Sequence, residues 1–282
     1  MTDNLEKKNI ILGISGGIAA YKSVELLRLL TKQGADVRVL MTRNACRFVG
    51  PLTFEALSGK AVCTHLFEEG QNASIGHIAW AKDAGAVIIA PATANIIAKM
   101  AGGIADDALT TFLLAVTAPI LICPSMNTDM YQSPAVQRNL CMLEKDGRVI
   151  LRPDSGELAC GVTGPGRLPD PEEILGRLIK VMCAQDLSGK RILVTAGPTQ
   201  EPMDPVRFLS NPSSGKMGFA IARAAQQRGA QVTLISGPSS LQGPSEVNVI
   251  RIQTAAQMAS AVFEHLEQVD IVIKSAAVSD YR

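Results

Sequence analysis

The chain of 282 residues carries 27 Lys and Arg against 26 Asp and Glu, a formal net charge of +1, and 47% of its residues are hydrophobic. That balance gives no electrostatic case for a nucleic-acid or membrane-surface partner. No apolar run approaches a bilayer span, and the N-terminus is too polar for a signal peptide. The six cysteines (Cys46, Cys63, Cys123, Cys141, Cys160, Cys183) are scattered and the three histidines stand alone, which points to a reducing cytoplasm and away from disulfides or zinc.

The length predicts about two domains. The first element is an apolar run, Ile10 to Ile14, which reads as a buried strand. Ser15, Gly16 and Gly17 turn the chain, and a helical pattern with Val24, Leu26, Leu27, Leu29 and Leu30 on its apolar side runs to Gly34. Strand, glycine turn and helix place backbone N–H groups and a positive helix end at the strand's carboxyl edge, where phosphate binds. The dinucleotide fingerprint is absent, and the second strand, Val37 to Met41, ends at Thr42 instead of an acidic residue. The turn therefore suits a mononucleotide or flavin phosphate better than NAD, with a ligand-free tight turn as the equal alternative.

Strands follow at Val87–Ala90, ending in Pro91, at Ile120–Cys123, ending in Pro124, and at Val149–Leu151. Helices alternate with them at Thr93–Gly102, Asp106–Val116, Ser133–Lys145 and Pro171–Cys183. Alternation of this kind predicts an α/β fold with a doubly wound parallel sheet and ligands at the carboxyl ends of the strands. A Gly- and Pro-rich segment, Arg152 to Asp170, reads as a mobile flap, and Ala184 to Gly189 as a linker. Beyond it the opening pattern recurs: KRILVTAG parallels KNIILGISG, and RGAQVTLIS parallels QGADVRVLMT. In this second unit a long loop, Pro198 to Lys216, separates strand from helix. The helix Met217–Arg228 leads to strands Val232–Ile235 and Val249–Ile252, helix Ala255–Glu267 and strand Ile271–Ile273.

Several residues are candidates for chemistry, each beside a plainer reading. His77 is either a base near neutral pH or a hydrogen-bonded structural histidine. Asn127, in PSMN after a strand, either orients a carboxylate or caps a helix. Cys160, in the flap, is either a proton donor or a chance surface cysteine. The other cysteines, Cys63 apart, read as small core residues. Ser213-Ser214-Gly215-Lys216 resembles half a P-loop, but Met217 stands where a magnesium-holding hydroxyl belongs.

The stretches SGGIAAYK, GHIAWAKDAGAVIIAPATANIIAKMAGGIADD, CPSMNTDMY and ACGVTGPGRLPDP, with VTAGPTQEPMDPVRFLSNPSSGKMGFAIA and SAAVSDYR, resemble the bacterial bifunctional coenzyme A biosynthesis family. That family joins a phosphopantothenoylcysteine decarboxylase to a phosphopantothenate–cysteine ligase. The resemblance implies a Rossmann-like (flavodoxin-like) FMN-dependent decarboxylase domain over 1–187, and over 188–282 the N-terminal part of a CTP- and Mg²⁺-dependent ligase domain, a partial second Rossmann-like unit. It implies an FMN site at Ser15, Gly16, Gly17, Ile18, Ala19, Thr42, Pro91, Ala92 and Thr93. His77 is then the base and Asn127 the group that holds the substrate carboxylate. Cys160 is the acid, with Met126, Ala159 and Gly161 against the substrate, 4'-phosphopantothenoylcysteine. The flavin takes electrons from the thiol carbon, CO₂ leaves, and the electrons return with a proton, so no second redox substrate is needed.

For the ligase half the resemblance implies that 4'-phosphopantothenate and cysteine are joined through an acyl-cytidylate. Asn211 acts there and Lys274, Ser275, Ala276 and Asp280 line the CTP site. It further implies a cytoplasmic homo-oligomer, a trimer or a dodecamer of trimers. The family's ligase continues beyond Arg282 into a lysine-rich loop, so a truncated ligase half is expected here. Val162 stands where an acidic residue often follows the flap Cys-Gly. Two other readings compete: a flavin prenyltransferase, which has no need of Cys160 or PSMN, and a non-catalytic FMN-binding regulatory subunit, which has no need of His77, Asn127 and Cys160 together.

Overall fold

A computed structural model describes residues 5–65, 79–159, 161–244 and 246–281. The chain divides into two compact units, Thr2–Met182 and Cys183–Arg282.

In the first unit, β1 (Asn9–Ile14) runs through the glycine turn and a 3-10 turn, Ile18–Tyr21, before α1 (Lys22–Lys32) begins. The positive end of α1 is thus one turn removed from the glycines. Next come β2 (Asp36–Met41), α2 (Pro51–Ser58), β3 (Ala86–Ala92), α3 (Ala94–Gly102), α4 (Ala108–Ala115) and β4 (Ile120–Pro124). Then follow α5 (Thr128–Gln132), α6 (Pro134–Lys145), β5 (Val149–Ile150), the strands β6 (Asp154–Glu157) and β7 (Thr163–Arg167), and α7 (Pro171–Met182).

The sheet is parallel in the order β2-β1-β3-β4-β5. This is the flavodoxin-like doubly wound order, whose direction of winding reverses between β1 and β3. The central strands are apolar throughout because helices cover both faces. Every residue of β3 and β4 is buried, as is β1 from Ile10 onward.

The structure corrects several sequence expectations. The strand expected to stop before Pro91 continues to Ala92, and the Ala92 carbonyl accepts the Ser125 N–H at 2.9 Å. The expected flap loop holds an antiparallel pair, β6 with β7. Helices α2 and α5 were not foreseen. Of the cysteines read as core, Cys123 is buried, which pushes its thiol pKa far up by desolvation, but Cys141 is exposed and Cys46 and Cys183 are half-buried.

The second unit opens with β8 (Arg191–Ala196), followed by β9 (Gln200–Pro202), β10 (Phe208–Ser210), α8 (Lys216–Gln227) and β11 (Gln231–Ser236). It ends with β12 (Asn248–Arg251), α9 (Ala255–Leu266) and β13 (Ile271–Lys274). The parallel sheet runs β12-β11-β8-β13. Alternate strand residues face opposite ways: Ile192, Val194 and Leu234 pack with Phe219 and Ala222 of α8, while Leu193 and Ile235 pack with Met258 and Ala261 of α9. The loop expected over Pro198–Lys216 contains the antiparallel pair β9 and β10. Among the described residues no helix is long and apolar enough to cross a membrane.

Candidate functional site

A cavity of about 910 Å³ opens at the carboxyl ends of β1, β2, β3 and β4 in the first unit. The turn from Ser15 to Ala19 forms one wall and Thr42, Arg43 and Asn44 another. Thr93 to Ile96, Ser125 to Asn127, and the hairpin residues Glu157 to Ala159 and Gly166 to Leu168 close the rest.

The glycine turn is built by close approach. A Cβ on Gly16 would lie 2.4 Å from Asn44 Cβ and 2.8 Å from the Asn44 carbonyl carbon, so only glycine lets the two loops touch. The Thr42 N–H donates to the Ile14 carbonyl at 3.0 Å, and Thr42 Oγ1 accepts the Ala45 N–H at 3.2 Å, which fixes the second loop. Ser15 turns its hydroxyl into the fold: it donates to the Pro91 carbonyl at 2.8 Å and accepts the Thr93 N–H at 2.9 Å. Ser15 thus ties β1 to the end of β3.

Asn127 is both a helix cap and a wall residue. Its Oδ1 accepts the Asp129 N–H at 2.8 Å, which starts α5. With the oxygen end of the amide committed, Nδ2 is the donor end. The hairpin is pressed onto this same loop. The Met126 N–H donates to the Gly166 carbonyl at 3.0 Å, and a Cβ on Gly166, at φ +146°, would fall 2.1 Å from the Met126 carbonyl oxygen.

Two lysines of the wall are paired with carboxylates. Lys99 Nζ donates to Asp106 Oδ1 at 2.6 Å and lies 3.5 Å from Asp107 Oδ2. The hydrogen bond to Asp106 raises the Lys99 pKa and lowers that of the Asp106 carboxyl. Asp107 caps α4 reciprocally with Thr110. Lys22 Nζ donates to the Leu168 carbonyl and to Asp170 Oδ1, both at 3.0 Å.

Of the residues expected at the site, Ser15, Gly16, Gly17, Ile18, Ala19, Thr42, Thr93, Met126, Asn127 and Ala159 share this cavity. Pro91 and Ala92 are buried behind the wall and serve through their carbonyls. Gly161 lies off the wall, with its N–H donating to the Leu158 carbonyl at 2.8 Å. His77 and Cys160 fall outside the described residues. Sequence reasoning missed Lys22, Arg43, Asn44, Lys99, Asp106, Asp107 and Arg167 on the wall. Only Asp107 carried a signal, the cap spacing to Thr110.

In the second unit, Asn211 Nδ2 donates to the Ala277 carbonyl at 3.1 Å and the Val278 carbonyl at 3.2 Å. Thr195 Oγ1 accepts the N–H groups of Ser275 at 3.2 Å and Ala276 at 3.3 Å. Asn211, Ser275 and Ala276 are thereby gathered at the carboxyl ends of β8 and β13, while Lys274 and Asp280 are exposed.

The residues fit a flavin mononucleotide. Ile18, Ile96, Met126 and Met130 offer apolar surface for a flat ring, and backbone groups, the Thr42 hydroxyl and Arg43 offer polar partners for its side chain and phosphate.

Residues 1–182 match the Flavoprotein family model, and residues 187–282 match the DNA/pantothenate metabolism flavoprotein C-terminal domain. The chain is 51% identical over 282 residues to the coenzyme A biosynthesis bifunctional protein CoaBC of Bacillus subtilis, covering 98% of this chain and 69% of that protein. It is 50% identical over 280 residues to the Escherichia coli K12 protein of the same name, covering 99% of this chain and 69% of that one. Among solved structures, a PPC decarboxylase mutant complexed with pantothenoylaminoethenethiol matches with a TM-score of 0.54 and 29% identity, over 61% of this chain and 97% of that one. The FMN-dependent cysteine decarboxylase SpaF matches with a TM-score of 0.54 and 34% identity, over 64% of this chain and 99% of that one. Similarity of this extent places the chain in a family: it belongs to the CoaBC coenzyme A biosynthesis bifunctional proteins.

Proposed function

We propose that this chain is an FMN-dependent carboxy-lyase of coenzyme A biosynthesis that converts 4'-phosphopantothenoylcysteine to 4'-phosphopantetheine. The observation that carries the reading is one cavity at the sheet's switch point, where the Gly16–Gly17 turn, Thr42 and the amide of Asn127 meet. Bound FMN supplies a reversible two-electron sink, so that a cysteine amide can lose CO₂ without a second redox substrate. Gly16, Gly17, Thr42, Thr93 and Arg43 hold it. The capped amide of Asn127 presents Nδ2 to the substrate carboxylate and orients it. His77 removes the proton that starts the reaction, and Cys160 delivers the one that ends it.

The second unit is proposed to be the N-terminal part of the CTP-dependent phosphopantothenate–cysteine ligase. Asn211, Lys274, Ser275, Ala276 and Asp280 would stand toward CTP with Mg²⁺, and 4'-phosphopantothenate and cysteine would be joined there. The protein is proposed to be a cytoplasmic homo-oligomer. The large exposed side chains Ile18, Tyr21 and Met130, which also line the cavity, support cover by another copy.

The masses of reaction products separate the two proton-transfer roles. Cys160→Ala should release CO₂ and accumulate an unsaturated enethiol, whereas His77→Asn should release none. CO₂ release by neither variant, or a saturated product from Cys160→Ala, would overturn this assignment.

A further inference from the structure

Among the described residues four cationic side chains line the cavity: Lys22, Arg43, Lys99 and Arg167. Two are committed. Lys22 is held by the Leu168 carbonyl and Asp170, and Lys99 by Asp106 and Asp107, whose two carboxylates leave an excess of negative charge around it. The two guanidiniums differ from both lysines. Both are exposed, and among the described residues neither makes a close ion pair or a side-chain hydrogen bond; Arg167 is near enough to Asp170 to help lower that carboxyl's pKa, after Lys22, without contacting it.

They stand on different walls. Arg43 follows Thr42 at the end of β2, beside the glycine turn. Arg167 ends β7, on the hairpin that also brings Glu157, Leu158 and Ala159 to the wall. Its side chain lies across Gly156 of the hairpin: a Cβ there would be in ordinary contact, 3.8 Å from Arg167 Nη1 and 3.9 Å from Cδ. No ion pair joins Arg167 to the neighbouring Glu157. Its backbone is anchored, because the preceding residue, Gly166, is locked onto Met126.

The proposed reaction, on which this inference rests, brings two phosphate monoesters to one cavity, that of the cofactor and that of the substrate. Each favours a guanidinium, whose planar fork matches phosphate oxygens. Arg43, beside the glycine turn, belongs to the cofactor end. We propose that Arg167 recognises the phosphate of the substrate and is the residue by which the enzyme prefers phosphorylated pantothenoylcysteine over the unphosphorylated compound. The substrate's other anion, its carboxylate, is the poorer partner for a guanidinium. It must depart as neutral CO₂, and a cation clamped on it would stabilise the ground state more than the transition state. A cation on the non-reacting phosphate supplies binding energy without that penalty.

The test is kcat/KM for 4'-phosphopantothenoylcysteine and for pantothenoylcysteine, with FMN-loaded wild type, Arg167→Gln, Arg167→Lys and Arg43→Gln. One charge-assisted contact predicts a wild-type preference for the phosphorylated substrate on the order of 10- to 100-fold. Arg167→Gln should abolish the preference through KM, with kcat little changed. Arg167→Lys should keep part of it, and Arg43→Gln should keep all of it. If Arg167→Gln does not fold, Arg167→Lys alone decides, since a preference equal to wild type overturns the proposal. An equal loss on both substrates would mean that Arg167 meets the carboxylate or merely shapes the hairpin, and no change would mean that it meets neither; both results overturn the proposal. Failure of the wild type to decarboxylate either compound would overturn the reaction itself.

Discussion

Gly16→Ala should purify as a colourless protein, where the wild type is yellow and releases FMN on denaturation. The added methyl would meet Asn44 at its Cβ, 2.4 Å away, and at its carbonyl carbon, 2.8 Å away. Backbone cannot rotate aside as a side chain can. The loop that yields is the one carrying Thr42 and Arg43, so both partners of the turn move off the flavin together. Overpacking of this kind costs about 1–3 kcal/mol, or roughly a 5- to 140-fold loss of FMN affinity if all of it falls on the flavin site. The adjacent Gly17 is the control. A Cβ there would meet only Thr93 Cγ2, at an ordinary 3.4 Å, so Gly17→Ala should leave the two loops in place and lose less flavin than Gly16→Ala. Flavin absorbance per protein and fluorescence titration with FMN measure both variants. Wild-type flavin content in Gly16→Ala would contradict this account of the turn, and release of NAD or FAD from the wild type would contradict the cofactor.

Asn127→Asp should be nearly inactive yet well folded. Aspartate is as good a helix cap as asparagine, so the bond from the Asp129 N–H survives and α5 stays in place. What changes is the other end of the group: an N–H donor becomes a carboxylate oxygen, which under the proposed reading would stand against the substrate carboxylate. Loss of one positioned donor costs about 10²–10³-fold in rate, and the like charge adds to it. Thermal unfolding near that of the wild type, with kcat/KM reduced by that factor, is the expected pair of results. Asn127→Ala, which removes cap and donor together, should lose about 1 kcal/mol of stability as well. An Asn127→Asp enzyme with near-normal turnover would leave Asn127 a cap and nothing more.

What could be read in the sequence followed burial. β1, β3 and β4 are covered on both faces, so Ile10–Ile14, Val87–Ala90 and Ile120–Cys123 stood out as apolar runs, the first followed by Ser15-Gly16-Gly17 and the other two by proline at the ligand edge. The hairpin β6 and β7 was invisible because DSGE and TGPGR carry no alternating apolar pattern. Gly166 and Gly164 serve close approach to Met126 and Thr128, which composition reports only as loop. α5 is five residues long, too short for periodicity, and its cap was legible only as one of two roles for Asn127. The charged wall was hidden for another reason. Lys22 and Lys99 sit on amphipathic helices, where a lysine reads as solvent-facing, and only the tertiary fold brings them to Asp170 and Asp106. Ser15 was expected to meet the cofactor, and its commitment to Pro91 and Thr93 depends on a contact 76 residues away in sequence, which no local pattern encodes.

The most direct measurement is the mass of the product after the purified, FMN-loaded protein is incubated with 4'-phosphopantothenoylcysteine in the absence of air and of any added oxidant or reductant. The cavity and its residues predict many turnovers per flavin, each giving a saturated product lighter than the substrate by one CO₂, with the flavin spectrum back in its oxidised form at the end. Substrate recovered at its original mass, or a single turnover that leaves the flavin reduced, would contradict the reading of this cavity as a self-contained decarboxylase site.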